Sequence, residues 1–137
     1  MVSTKIDVNY NRVARTESLD EMARLLFPGS RNHRKIFLAV FVELKWAEGQ
    51  FLPALEPVAD KHGLSHRSLQ TVRAKMRRMG IIDHVSRFSK RHGCREGWVF
   101  SNRFPNALTQ MADLAKRLRE PKDPGQEQKD RDCLFYV

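Results

Sequence analysis

Placing successive residues about 100° apart around a helix brings Arg67, Gln70, Thr71, Ala74 and Arg78 onto one face, with Lys75 and Arg77 on its flanks. These residue types can read a major groove. Arginine bonds guanine bidentately, glutamine does the same for adenine, and a small side chain such as Ala74 lets a helix approach closely enough to touch a thymine methyl. On the opposite side, Leu69, Val72, Met76 and Met79 recur at i, i+3, i+7 and i+10, which is the stripe a helix buries.

A face of this kind needs a helix start and a support. Ser65 suits the cap position, where its oxygen can take an orphan amide of the first turn, and it leaves His66 and Arg67 facing outward. Ahead of it, Val58 and Ala59 form the inner face of a short helix that Gly63 can stop, with Leu64 plugging the turn between the two helices. After it, Asp83 to Phe88 and Gly97 to Arg103 read as two strands of a hairpin, rich in Val, Phe and Trp, with Gly93 near its tip.

The run resembles the helix-turn-helix of winged-helix transcription regulators, most closely the MarR type. Val58-Ala59, Gly63-Leu64-Ser65, Ser68-Leu69 and Gly80-Ile81-Ile82 fall into that pattern without a gap, and the resemblance covers about half the chain. It implies a mainly α fold with a small β-hairpin wing (α+β), flanked by N- and C-terminal helices. It also implies sequence-specific binding of double-stranded DNA. Arg67, Gln70, Thr71 and Ala74 would face base edges. Ser65, Ser68, Lys75, Arg77 and Arg78 would hold phosphates beside His66, and Lys90, Arg91 and Arg95 would do so from the wing. In such regulators the terminal helices commonly pair, so a homodimer through residues 18–27 and 106–120 is implied, with docking on the same chain's core as the alternative.

Charge supports a polyanionic partner. The net charge is +9, and Lys and Arg outnumber Asp and Glu by 10 to 2 over residues 58–95, against 8 to 7 before and 7 to 7 after. Excess positive charge concentrated over one segment is the electrostatic footprint of a phosphate-binding surface.

The rest of the chain reads as support. Residues 1–17 lack a sustained period and read as an irregular arm, with Arg12 and Arg15 within conceivable reach of a minor groove. A domain over residues 18–120 follows. It opens with the capping box Ser18-Leu19-Asp20-Glu21 and a helix bearing Leu19, Met22, Ala23 and Leu26 on one face. Arg31 to Ala47 carries Ile36, Phe37, Val40, Phe41, Leu44 and Ala47 at helical spacing, with Leu38, Val42 and Trp46 adding apolar surface elsewhere, which predicts a central helix buried on several sides. Phe51-Leu52 predicts a short edge strand. Asn106 is the expected cap of a last helix with a seam of Leu108, Met111, Ala115 and Leu118. Residues 121–137 read as a flexible tail with an apolar end, where Leu134, Phe135 and Tyr136 could dock on a protein partner.

No catalytic constellation is present, so an enzyme is the least expected class, and no cofactor is implied. Cys94 with His92, joined by His84, falls short of four convergent zinc ligands, so no metal site is expected. Arg91 and Arg95 beside Cys94 would favour its thiolate. Two cysteines form no disulfide framework, and no stretch predicts a leader or a membrane span, which suggests a cytoplasmic location. Two alternatives compete with a regulator: a replication-initiator or architectural DNA binder, and a winged helix used as a protein-interaction module.

Overall fold

Three serines set where the main helices begin. In the computed structural model, Ser18, Ser30 and Ser65 each accept a hydrogen bond from the backbone amide three residues on, at 3.2, 3.2 and 3.3 Å. Each thereby satisfies one of the orphan donors of a first turn. The structure describes residues 3–91, 93–121 and 123–136, without the side chains of Arg87, Ser89 and Cys94.

The chain is mostly helical with a small three-stranded antiparallel sheet, an α+β arrangement. It divides into two compact units, Met1–Arg103 and Phe104–Val137. In the first, a short helix α1 (Tyr10–Ala14) precedes α2 (Leu19–Leu26) and α3 (Arg31–Trp46). A two-residue strand β1 (Phe51–Leu52) leads to α4 (Glu56–Lys61) and α5 (His66–Met79), and β2 (Ile82–Ser89) and β3 (Gly93–Phe100) follow as a hairpin. The strand order is β1-β3-β2.

The core lies between α3 and α5. Ile36, Phe37, Val40 and Leu44 on α3 are buried, as are Leu69, Val72 and Met76 on α5, with Leu55 and Ile82 closing the ends. Ala23, Leu26 and Phe27 add the α2 side, and an aromatic series runs Phe27–Phe37–Phe41–Phe100 with ring centroids 5.3, 5.7 and 4.9 Å apart. The apolar face of α2 is thus covered by its own chain. The breadth of apolar sequence on α3 overstates its burial: Val42 and Trp46 are exposed, and the Lys45 ammonium lies 5.5 Å from the Trp46 ring centre.

The turn between α4 and α5 forms as its residues dictate. Gly63 has φ of +64°, and the Leu64 amide reaches back to the Ala59 carbonyl at 2.8 Å, ending α4 two residues before that glycine. Pro57 sits in the first turn of α4, where no amide is missed.

Three differences from the sequence expectations concern boundaries. β3 begins at Gly93, not Gly97, because the hairpin ladder continues through Ser86–Glu96, Arg87–Arg95 and Phe88–Cys94. The helix α6 (Arg103–Arg117) begins before Asn106, so Asn106 is not its cap; Ser101 accepts from the Arg103 amide at 3.1 Å, and Pro105 lies in the first turn. Residues 124–132, within the expected tail, form a helix α7 (Pro124–Asp132), capped by the Asp123 carboxylate on the Gly125 amide at 2.9 Å. Leu108, Met111, Leu114 and Leu118 on α6 are exposed, as are Leu134, Phe135 and Tyr136.

Gly97 is where β1 comes closest to β3. A Cβ there would stand 2.5 Å from both the Leu52 carbonyl oxygen and the Phe51 ring, whereas one at Gly29 would meet nothing within 4 Å. Gly97→Ala should therefore lower unfolding stability by about 1–3 kcal/mol through overpacking and detach β1. Gly29→Ala should stay within about 1 kcal/mol of the parent. Denaturant titration of both variants checks the contrast.

Candidate nucleic-acid interface

Rotation of α5 is fixed by its buried stripe, and the opposite face stands clear. Arg67, Gln70, Thr71, Arg77 and Arg78 are exposed and Ala74 is half-buried at their centre. The helix forms a ridge between two clefts. Gln70 and Ala74 line both of them.

On the hairpin side, a cleft of about 730 Å³ is walled by Arg73, Arg77, Arg78 and Arg103, with Asp83 and Trp98. Arg73 donates to Glu56 at 3.0 Å and its guanidinium lies 5.3 Å from the Trp98 ring centre, so it ties α5 to α4 and β3. Arg103 bonds Asp83 and also the Arg77 carbonyl, at 3.0 Å for the latter. That second bond satisfies one of the last carbonyls of α5. The hydrogen bond from Arg103 is the main cause holding the Asp83 carboxyl below its ordinary value.

On the other side, a cleft of about 880 Å³ is bounded by Arg67, Gln70, Thr71 and Ala74 and by Lys5, Phe27, Ser30 and His33. Here the N-terminal arm is anchored. The Asp7 amide donates to the Leu25 carbonyl at 2.8 Å, and the Lys75 ammonium donates to the carbonyls of Lys5, at 2.7 Å, and Leu26.

That placement corrects one expectation. Lys75 points into the protein, not to a phosphate; it is 8% exposed and lies 4.4 Å from the Phe27 ring centre. Helical spacing puts it on the flank of α5, and that flank is covered because the end of α2 and the arm offer it carbonyls. Burial lowers its pKa below the ordinary 10.5. Arg95 is likewise displaced from the hairpin tip: it sits on β3 with its guanidinium 4.6 Å from the Phe51 ring centre. Ser68 is half-buried and accepts from Asn32 at 3.2 Å, so it joins α5 to α3.

The other predicted positions remain at the surface. Ser65 caps α5, His66 Nε2 lies 2.6 Å from Asp60 Oδ1, and Thr71 donates to the Arg67 carbonyl at 3.4 Å. Lys90 and Arg91 are exposed at the hairpin turn. Arg73, Arg103 and Lys5 were not anticipated from the sequence. Arg73 lies on the flank opposite Lys75, and the other two come from segments distant in sequence. Among the described residues no group of three or more His, Cys, Asp or Glu could hold a metal, and His92 and the Cys94 side chain lie outside them; His84 packs on Trp98 across the strands, at 4.9 Å between ring centres. Among the same residues, no helix is long and apolar enough to cross a membrane.

Lys75→Met keeps the apolar stem and removes the donor to Lys5 and Leu26. Each hydrogen bond to a charged group contributes about 1.5–3 kcal/mol, so the arm should open, giving faster amide exchange and proteolysis before Asp7. The pH dependence has a definite sign. Below the lowered folded pKa both states hold the proton and the folded state bears the full desolvation cost. As pH rises from that value toward 10.5 the unfolded chain holds more protons, and stability increases. The parent should show this alkaline gain and Lys75→Met should lack it, as read by denaturant midpoints across pH. No protein-family model, curated protein or solved structure matches this chain.

Proposed function

We propose that the chain binds double-stranded DNA through a winged helix-turn-helix and acts as a sequence-specific transcriptional regulator. In this reading α4 and α5 are the helix-turn-helix, β2 and β3 are the wing, and α5 enters the major groove.

The observation that carries the reading is the ridge. A helix in a major groove has a phosphate strand on each side of it, and α5 has a cleft on each side, with arginines on the hairpin side and Lys5 and Arg67 on the other. Gln70 and Ala74, which line both clefts, would stand over base edges with Arg67 and Thr71 beside them. Arg77 and Arg78 would meet one strand, beside Arg73 and Arg103, which hold Glu56 and Asp83, and Lys90 and Arg91 would extend that contact from the wing. Of the acids nearest α5, Glu56 is paired with Arg73 and Asp83 with Arg103, and Asp60 lies in hydrogen-bond contact with His66. The surface left for a ligand is therefore cationic.

A protein-interaction role finds support in the exposed Leu134, Phe135 and Tyr136. Selection from a random duplex pool at physiological salt separates the readings. Enrichment of a palindrome with half-sites about 10 base pairs apart is the expected result and would also establish a dimer. Retention without enrichment would favour an architectural or initiator-type binder, and no retention would favour the protein-interaction module.

Two substitutions test the division of labour. Gln70→Ala should relax preference at one base pair, at a cost of about 1–3 kcal/mol on the preferred sequence. Lys90→Ala should weaken all sequences alike and reduce the salt slope by about 1. Equal loss on every sequence from both changes would overturn the assignment.

A further inference from the structure

Away from the ridge, α1, α2 and the first half of α3 enclose a cleft of about 730 Å³ whose walls carry Arg12, Arg15, Arg24, Arg31, Arg34 and Lys35 against Asp20 and Glu21. Little of that positive charge is neutralised within the chain. Arg24 reaches Asp20 at 3.4 Å and Arg12 reaches Asp7 at 2.7 Å, while Arg34 donates at 3.2 Å to the Phe27 carbonyl, an acceptor with no net charge. Among the described residues Arg15, Arg31 and Lys35 have no ion pair. Six cations gathered around one concavity repel one another, and a polyanion relieves that repulsion.

The arrangement suits a run of phosphates better than a single anion. Arg12 comes from α1 and Arg15 from its C-cap, and Arg31, Arg34 and Lys35 from α3, so cations stand on two sides of a lining that also includes Leu25, Pro28 and Leu38. Among the described residues no aromatic side chain lines the cleft, so a nucleotide would find no ring on which to stack its base. The cleft also adjoins the arm-side cleft beside α5. Pro28 lines both, and Ser30 of one is followed in the chain by Arg31 of the other.

We propose that this cleft holds backbone phosphates of DNA flanking the segment that α5 reads, as a second contact indifferent to sequence. The inference rests on the DNA-binding reading above. It adds that a duplex bends or runs past the α2–α3 turn, and that affinity depends on duplex length beyond the site under α5.

The test compares two duplexes, the selected target site alone and the same site extended by about one helical turn of 10 base pairs on each side. Binding is followed by fluorescence anisotropy across a salt series. The full chain should bind the extended duplex severalfold more tightly, with a slope of log K against log salt steeper by about 0.9 for each added phosphate contact. The triple variant Arg15→Ala, Arg31→Ala, Lys35→Ala should lose that gain and keep the affinity for the short duplex. All three residues are exposed, Arg15 at the C-cap of α1 and the other two on α3, and an unchanged melting curve checks the fold. The charge-preserving triple Arg15→Lys, Arg31→Lys, Lys35→Arg should restore the gain. Equal affinity and slope on both duplexes, or equal losses on both from the alanine variant, would overturn this inference and leave the DNA reading standing. Failure to bind either duplex would overturn both.

Discussion

Burial of Leu69, Val72 and Met76 against α3 decides the rest of the molecule's surface. Once that stripe faces Ile36, Phe37, Val40 and Leu44, the rotation of α5 about its axis is set, and with it the direction of every polar residue on the helix. Full burial of a side chain of this kind contributes about 1.5–3 kcal/mol, so several together hold the helix far more firmly than any surface ion pair, at about 0–1 kcal/mol. The polar face can therefore vary in chemistry without moving the helix. The aromatic series from Phe27 to Phe100 spreads the same constraint to α2 and to the sheet.

This division explains what could be read from the sequence. The spans of α3 and α5, the cap at Ser65, the strand at Phe51-Leu52 and the existence of the hairpin follow from periodicity, caps and turn residues, all local signals. The exposed set on α5 follows too, because it is the complement of a periodic stripe. The fate of the flanks does not. Lys75 and Arg73 stand at similar angles from the stripe, and a helical wheel treats them alike. One enters the interior because α2 ends beside it with an unpaired Leu26 carbonyl, and the other is half-buried over Trp98 because the hairpin passes there. Those neighbours are long-range, and no local pattern announces them.

Side-chain chemistry misleads in the same way on α3 and the hairpin. Apolar residues all round α3 suggest burial all round, yet Trp46 is 78% exposed. The wheel records which residues could be buried, and the number of packed neighbours decides which are. Arg95 looks like a hairpin-tip cation by its position in sequence, but the ladder extends further than its residue types suggest and brings its guanidinium over Phe51. Gly97 lies beneath the same ring, since β1 can approach β3 only where no Cβ intervenes. Arg95, Phe51 and Gly97 are thus one packing unit.

Electrostatics completes the argument from fold to site. Carboxylates around α4 and α5 are held ionised by cations of the scaffold: hydrogen bonds from Lys61 and then His62 keep the Glu43 carboxyl below its ordinary value, as the Arg103 hydrogen bond does for Asp83. Arg73 plays a lesser part at Glu56, where the backbone amide of Glu56 itself is the leading cause. Lys61, Arg73 and Arg103 make ion pairs in this way, whereas Arg67 and Arg78 make none among the described residues, and Arg77 acts on Asp83 through its charge without an ion pair. The pairing of Glu56 and Asp83 offsets acidic charge beside α5, and the buried stripe directs Arg67, Arg77 and Arg78 to one face. Packing and charge therefore converge on the same side of the molecule, through interactions that are energetically independent of each other.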